Sequence, residues 1–347
     1  MTTIKDVAAR AGLSVMTVSR VLNGERHVSA EAREKVQAAI EALGYRRNVF
    51  ARGLPGSRSF LLCLLIPEMI PAYLAEFQQG AVEHCRAQGY HLVVQPYDTE
   101  ADDAADVVAH ALATLRPDGF LVLPPLTDDL AVLDVLSRAN VAHVRVAPSV
   151  EPQRTSSIAV DEIEASREMT AALLDLGHRR IGFIAGPADH GAAGWRFEGY
   201  RLGLEERGLA VDPSLVRQGD FMFEGGEAGG RSLLTEPEPP TAIFATNDET
   251  ALGVMAAAHQ LGLKVPGDLS VTGFDDSEIA RLAWPQLTTV RQPIQAMAAA
   301  AAEMVIAQAG PDNSAPEHRR LDFELVFRDT TAPPSHPKVS EGWIADN

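Results

Sequence analysis

Between residues 3 and 44 the apolar positions recur at helical spacing. Ile4, Val7, Ala8 and Ala11 mark a first short helix, and Thr3 followed by Asp6 has the spacing of a capping box. Gly12 supplies the left-handed residue that a sharp turn needs. Ser14 then stands as the N-cap of a second helix, Val15 to Leu22. Its inward face is Val18, Val21 and Leu22, which leaves Val15, Met16, Thr17, Ser19 and Arg20 pointing outward. Ser29 opens a third helix whose apolar positions are Ala32, Val36, Ile40 and Leu43, ending at Gly44. Two helices joined by a tight glycine turn and braced by a third predict an all-α helix-turn-helix head. Such a unit sets the first residues of its second helix against base edges in the major groove. The outward residues suit that role, since apolar, hydroxyl and guanidinium groups match thymine methyls, phosphates and guanine edges.

From Phe60 the pattern changes. Short, nearly all-apolar runs (FLLCLLI, YHLVVQ, GFLVLP, VAHVRVA) alternate with helices predicted around 73–88, 102–115 and 128–139. After Asp161 the scheme repeats: a helix to Leu176, RRIGFIAG, a helix around 193–207 and a strand near 215–219. TAIFAT, a helix around 248–261, LSVTGF and LTTVRQ complete it. This alternation predicts buried parallel sheets twice over, hence two doubly wound α/β lobes. Ligands bind such lobes in the cleft between them, at the carboxyl ends of the strands.

Composition adds charge to this division. The chain has 347 residues and a formal net charge of −17, which taken whole argues against a nucleic-acid partner. Residues 1–60, however, hold ten basic residues against five acidic ones, a net of +5 that leaves −22 on the remainder. A small basic head precedes a large acidic body.

Other classes drop out. No apolar run reaches the roughly 18 residues of a membrane helix, and MTTIKDVAARAG has no signal-peptide pattern, so a cytoplasmic protein is expected. Cys63 and Cys85, in apolar surroundings, read as buried thiols. No GxGxxG opens a helix after a strand, no GxxxxGK[ST] occurs, and the ten histidines lack metal-ligand spacing. His178, His190 and His259 read as surface or helix-end residues, and Asp275-Asp276 has no nucleophile or metal beside it. No catalytic residue, metal or cofactor is expected.

The stretch TVSRVLNG (Thr17 to Gly24), followed by Val28-Ser29 and a third helix ending Leu43-Gly44-Tyr45, resembles the DNA-binding head of the LacI/GalR family of bacterial transcription regulators. The resemblance implies that Val15, Met16 and Arg20 read bases, while Thr17, Ser19 and Asn23 hold the backbone. Residues 46–59 carry four arginines and no acid, and Asn48 to Leu54 resembles the family's hinge helix. By position Leu54 is the apolar wedge opened into the minor groove, and Arg52 a phosphate or groove contact. Arg47 stands where the family usually has proline, and Gly53 costs a short helix roughly 1 kcal/mol relative to alanine. Both imply a hinge more dependent on DNA for its order.

The body is similar to the family's sugar-sensing core, a two-lobed type I periplasmic-binding-protein-like fold. Its carriers are LGHRRIGFIAG (176–186), Arg196-x-x-Gly199-Tyr200, AIFATND (242–248), VPGDLSVTGFDD (265–276), LTTVRQP (287–293) and LVFRDTTAPP (325–334). The resemblance puts Arg196, Asn247 and Asp275 in the cleft as ligands to hydroxyl groups, with Tyr73 and Phe221 as aromatic faces over a sugar ring. Two positions depart from it. Ile70-Pro71-Ala72 replaces the usual Ser-Asn-Pro, and Ala147 the usual Asp, while Arg145 on the same strand brings a cation toward the cleft mouth. A neutral sugar, an oligosaccharide, a glycoside and an acidic sugar all remain admissible.

The expected organisation is a head (1–45), a hinge and linker (46–59), a two-lobed core (60–330) and a polar tail (331–347). Three chain crossings put 60–160 with 291–317 in one lobe and 161–290 with 318–330 in the other. The tail has no heptads, so a homodimer on a near-palindromic operator is expected rather than a coiled-coil tetramer. The implied function is a DNA-binding regulator, a repressor of carbohydrate genes switched by a small carbohydrate-like effector. A corepressed repressor or activator, and a sugar-binding protein without a regulatory role, are the alternatives.

Overall fold

In a computed structural model of the chain, residues 3–22, 28–45, 58–67, 72–98, 103–310 and 315–335 are described. They fall into two compact units divided after Ser59.

The first unit is three helices, α1 (Ile4–Ala11), α2 (Val15–Leu22) and α3 (Ala30–Leu43). Each begins on a side-chain cap that satisfies an otherwise orphaned N–H. Thr3 and Asp6 form a reciprocal capping box, Ser14 Oγ accepts from Thr17 N at 3.1 Å, and Ser29 caps Ala32 N. Gly12, at φ +66°, lets the chain turn from α1 into α2. Val7, Val18 and Val36 are wholly buried where the three helices meet.

The second unit holds two six-stranded sheets. The first lobe runs β1 (Leu61–Pro67), α4 (Ala72–Ala87), β2 (His91–Tyr97), α5 (Ala104–Thr114), β3 (Gly119–Val122), α6 (Leu130–Arg138), β4 (Ala142–Val146) and β5 (Ser157–Ala159). The second runs α7 (Glu162–Asp175), β6 (Ile181–Ala185), α8 (Gly191–Glu205), β7 (Val216–Gln218), α9 (Phe223–Leu234), β8 (Ala242–Ala245), α10 (Asp248–Gln260), β9 (Ser270–Asp275), α11 (Glu278–Leu282) and β10 (Thr288–Arg291). The chain then returns to the first lobe through α12 (Ile294–Gln308) and β11 (His318–Arg320), and crosses to the second again for β12 (Glu324–Val326).

The sheet orders are β11-β5-β4-β3-β1-β2 and β12-β10-β9-β8-β6-β7. In each, the first strand of the lobe sits between the second and the third, so the winding reverses there and leaves a crevice at the carboxyl ends. All pairs are parallel except β10 with β12. The apolar runs are buried on both faces, as doubly covered parallel strands require: Leu62, Leu64, Phe120, Phe183, Phe244 and Phe274 are inaccessible to solvent. Cys63 and Cys85 are buried free thiols.

Three features differ from the sequence expectation. β11 pairs with β5, Arg319 opposite Ile158, so residues 318–320 belong to the first lobe and the third crossing falls at 321–323. Helices α9, α11 and α12 fill stretches for which the sequence predicts no helix. His178 is buried rather than a surface residue, its ring bonded to Thr241, Ser270 and the carbonyl of Ala332.

Candidate functional site

In the head, α2 turns Val18 inward and leaves Val15 and Met16 42% and 66% exposed. Arg20 is exposed, and Thr17 and Ser19 are partly so. The Thr17 hydroxyl lies 2.9 Å from Ser14 Oγ, which ties it to the helix cap. One short helix thus presents two bare apolar side chains, two hydroxyls and a guanidinium on its open side, a composition suited to base edges and phosphates. Asn23, Arg52 and Leu54 lie outside the described residues, as does the hinge.

In the body, a cavity of about 390 Å³ opens at the carboxyl ends of the strands of both sheets. Its floor is polar and built on a buried arginine. Arg196, carried on α8, donates through Nε to Glu162 Oε2 at 2.7 Å and through Nη1 to the carbonyl of Thr246 at 2.6 Å. Its Nη2 lies 3.6 Å from Asp275 Oδ1. The guanidinium plane rests on the Phe274 ring, 3.8 Å from its centroid, a cation–π contact within the lobe core. Burial opposes the Arg196 charge, but Glu162 and Asp275 outweigh it and hold its pKa above the ordinary value.

Asp275 ends β9 at φ +117° and accepts from Gln292 Nε2 at 2.7 Å. Burial pushes its carboxyl well above the usual range, with Arg196 pulling the other way. Two aromatic side chains stand over this floor. Tyr73 comes from α4 of the first lobe, and its phenol is raised by burial and by the Asp275 and Glu162 carboxylates. Phe221 comes from the loop after β7 of the second lobe at φ +67°; a Cβ at Gly186 would lie 2.5 Å from its Cε1. Glycine at 186 is therefore what lets the ring fold over the strand end. His190 meets the same ring edge-on, with centroids 4.8 Å apart.

Tyr73, Arg196, Phe221 and Asp275 thus come together in the cavity. Two other expected ligands do not line it. Arg145 is fully buried beneath two loops, donating to the carbonyls of Thr127, Val150 and Glu151 and pairing with Asp128 at 3.2 Å. Every nitrogen of its guanidinium is taken by those loops, so it braces the cleft mouth and brings no cation to it. Asn247 caps α10, its Oδ1 accepting from Thr250 N at 3.0 Å. Its Nδ2 donates to the Phe221 carbonyl at 2.9 Å, so it positions the aromatic wall.

Glu162, Gln292 and His190 also line the cavity: Gln292 lies inside the LTTVRQP run without being singled out, His190 reads in the sequence as a surface or helix-end residue, and Glu162 has no signal of its own. Glu162 reaches the site by pairing with Arg196, 34 residues away, and a glutamate at a helix start reads as an ordinary N-terminal acid.

Comparison with known proteins agrees with this architecture. Residues 3–48 match the model of bacterial regulatory proteins of the lacI family, and residues 170–331 that of a periplasmic binding protein-like domain. The chain is 32% identical to catabolite control protein A of Priestia megaterium, over 95% of this chain and 99% of that one. Among solved structures it is similar to the Lac repressor dimer bound to operator and the anti-inducer ONPF, with a TM-score of 0.83 and 30% identity over 95% of this chain and 99% of that one. It is also similar to the transcriptional regulator CelR in complex with cellobiose, with a TM-score of 0.73 and 31% identity over 95% and 100% of the two chains. By likeness along nearly its whole length, in sequence and in fold, the chain belongs to the lacI family of bacterial regulatory proteins, DNA-binding regulators of transcription.

Proposed function

We propose that this regulator is a repressor of carbohydrate uptake or catabolism genes, released from its operator when a small carbohydrate-like effector fills the cavity between the lobes. The observation that carries the reading is the cavity itself: two aromatic faces, one from each lobe, stand over a buried Arg196–Glu162–Asp275 floor. Aromatic faces take the C–H side of a sugar ring, and the floor takes its hydroxyls. Because the walls come from both lobes, an occupant biases one lobe arrangement over another, which is the differential contact that allostery requires.

The DNA partner is double-stranded and near-palindromic, read by two heads of a homodimer. Leu282 and Trp284, 74% and 89% exposed at the end of α11, form an apolar face that a second copy would cover. Lac repressor, a relative by fold and sequence, is seen as a dimer on its operator. A chromosome-binding regulator acts in the cytoplasm.

The test is to select an operator from random duplexes with the intact protein, then to follow the complex by fluorescence anisotropy while adding single carbohydrates. Release by one of them supports the reading. Tightened binding points to a corepressor, and indifference to every carbohydrate overturns it.

A further inference from the structure

The cavity carries an unequal set of charges. Glu162 and Asp275 lie in its floor, and Asp189 and Asp220 stand exposed at its rim. Against these four carboxylates the cavity wall offers one guanidinium, Arg196, among the described residues. Its nitrogens are already taken by Glu162, Thr246 and Asp275, and its face by Phe274. His190 adds no cation, because burial and the nearby Arg196 lower it to about 4. Arg145 spends its charge on Asp128 and three loop carbonyls.

Acceptors therefore outnumber donors. The Gln292 bond and the Arg196 contact both fall on Asp275 Oδ1, and no hydrogen bond is made to Oδ2 among the described residues. Arg196, 3.6 Å away, favours the charged form of Asp275 against its burial, and to that carboxylate oxygen a ligand hydroxyl can donate. A carboxylate has no proton to give at neutral pH, and a phosphate monoester, with a second pKa of about 6, is mostly the dianion. To reach Arg196 it would have to displace Glu162, stranding a buried carboxylate, and removing one partner of a buried ion pair is strongly unfavourable.

We propose that the cavity selects an uncharged, hydroxyl-rich ligand and rejects the phosphorylated or carboxylated form of the same skeleton. The proposal rests on the cavity being the effector site and goes beyond it by fixing the ligand's charge class. Of the sugars admissible from sequence, it removes the acidic ones.

The experiment uses the intact chain and matched sets of neutral, phosphorylated, uronic-acid and amino forms of common mono- and disaccharides. Thermal shift finds the binders and calorimetric titration ranks them. The expected result is binding by a neutral member, with its phosphate and uronate weaker by about 100-fold. In Asp189→Asn/Asp220→Asn, whose changes lie at the exposed rim, the gap between neutral and anionic forms narrows; Asp275→Asn, once shown to be folded by circular dichroism, narrows it further. An anionic form that binds more tightly than its neutral parent overturns the proposal and leaves the carbohydrate reading standing, as does an amino form preferred tenfold or more. Silence from every carbohydrate overturns that reading and this proposal with it.

Discussion

Glu249 of the second lobe accepts the backbone N–H of Ala72, the first residue of α4 in the other lobe, at 2.8 Å. A backbone donor at a helix start is thus satisfied from across the cleft. The reverse contact exists too: Glu76 on α4 accepts from Glu278 N at 3.2 Å. Glu249 is further held by Asn247 Nδ2 at 2.9 Å, and that same amide holds the Phe221 carbonyl. One short chain of bonds therefore joins lobe closure to the aromatic wall of the cavity. We expect Glu249→Ala to weaken effector binding about tenfold, the worth of one hydrogen bond to a charged group. Glu249→Gln keeps the acceptor and should restore most of it. Calorimetric titration of both variants checks this, and equal affinities for Ala and Gln would count against the latch.

Helices α9 and α10 approach so closely that side chains are excluded from the contact. A Cβ at Gly226 would lie 2.7 Å from Thr250 Cα, and one at Gly253 would lie 2.8 Å from the Gly226 carbonyl carbon. Backbone cannot yield as a flexible side chain can. Gly226→Ala is therefore expected to destabilise the body by about 1–3 kcal/mol. Gly194→Ala, exposed on α8 with nothing near its added methyl, should stabilise by a few tenths to ~1 kcal/mol. Thermal denaturation of the two variants should shift in opposite directions.

Those glycines also explain what sequence reading could not see. Four of them in FEGGEAGGRSLL look like breaks in a helix, although three are buried against neighbouring elements. The alanine run of α12 has no clear polar face, so it gives no periodic signal despite strong helix propensity. The strand His318–Arg320 has no apolar alternation, and its lobe is decided only by pairing with Ser157 to Ala159 far upstream. Arg196 and Asp275 sit inside motifs that the sequence carries, Tyr73 and Phe221 are placed only by position in the resemblance, and all four line the cavity. Arg145 was misplaced because strand alternation tells which face a side chain leaves, not which loops close over it. The head was legible almost throughout, since its caps and its apolar spacing are local.

His190 gives a pH signature with a definite sign. Its pKa falls from 6.5 to about 4 in the folded protein, because burial and then Arg196 disfavour the charged ring. The unfolded chain takes up that proton near the ordinary value, so the contribution to stability is complete above about 6.5 and is lost as pH falls toward about 4. Allowing for partial exposure, the loss is ~2 kcal/mol. Urea unfolding of wild type and His190→Gln at about pH 7.5 and about pH 4.5 isolates it, since the other titrating groups are shared. The difference between the two proteins should move by that amount against wild type at the lower pH. A difference independent of pH would show that the imidazole is not held neutral.

The charge of the chain sets the last expectation. With +5 on residues 1–60 and −22 on the rest, the body repels a duplex, so contacts to phosphate must come from the head and linker. Each such contact releases a counterion, and the logarithm of the binding constant falls by ~0.9 per contact for each unit of log salt. The operator complex should therefore weaken steeply with salt. Arg20, exposed on α2 beside Val15 and Met16, separates the two kinds of contact. If it reads a base, Arg20→Ala lowers affinity for the selected operator by about 1–3 kcal/mol, flattens discrimination at that base pair and leaves the salt slope unchanged. If it holds phosphate, all sequences weaken alike and the slope drops by about one. Anisotropy titrations at several salt concentrations, on the operator and on one mismatched at each position, distinguish these outcomes. The base-reading result is the one expected, with effector affinity the same as wild type because the change lies in a separate unit.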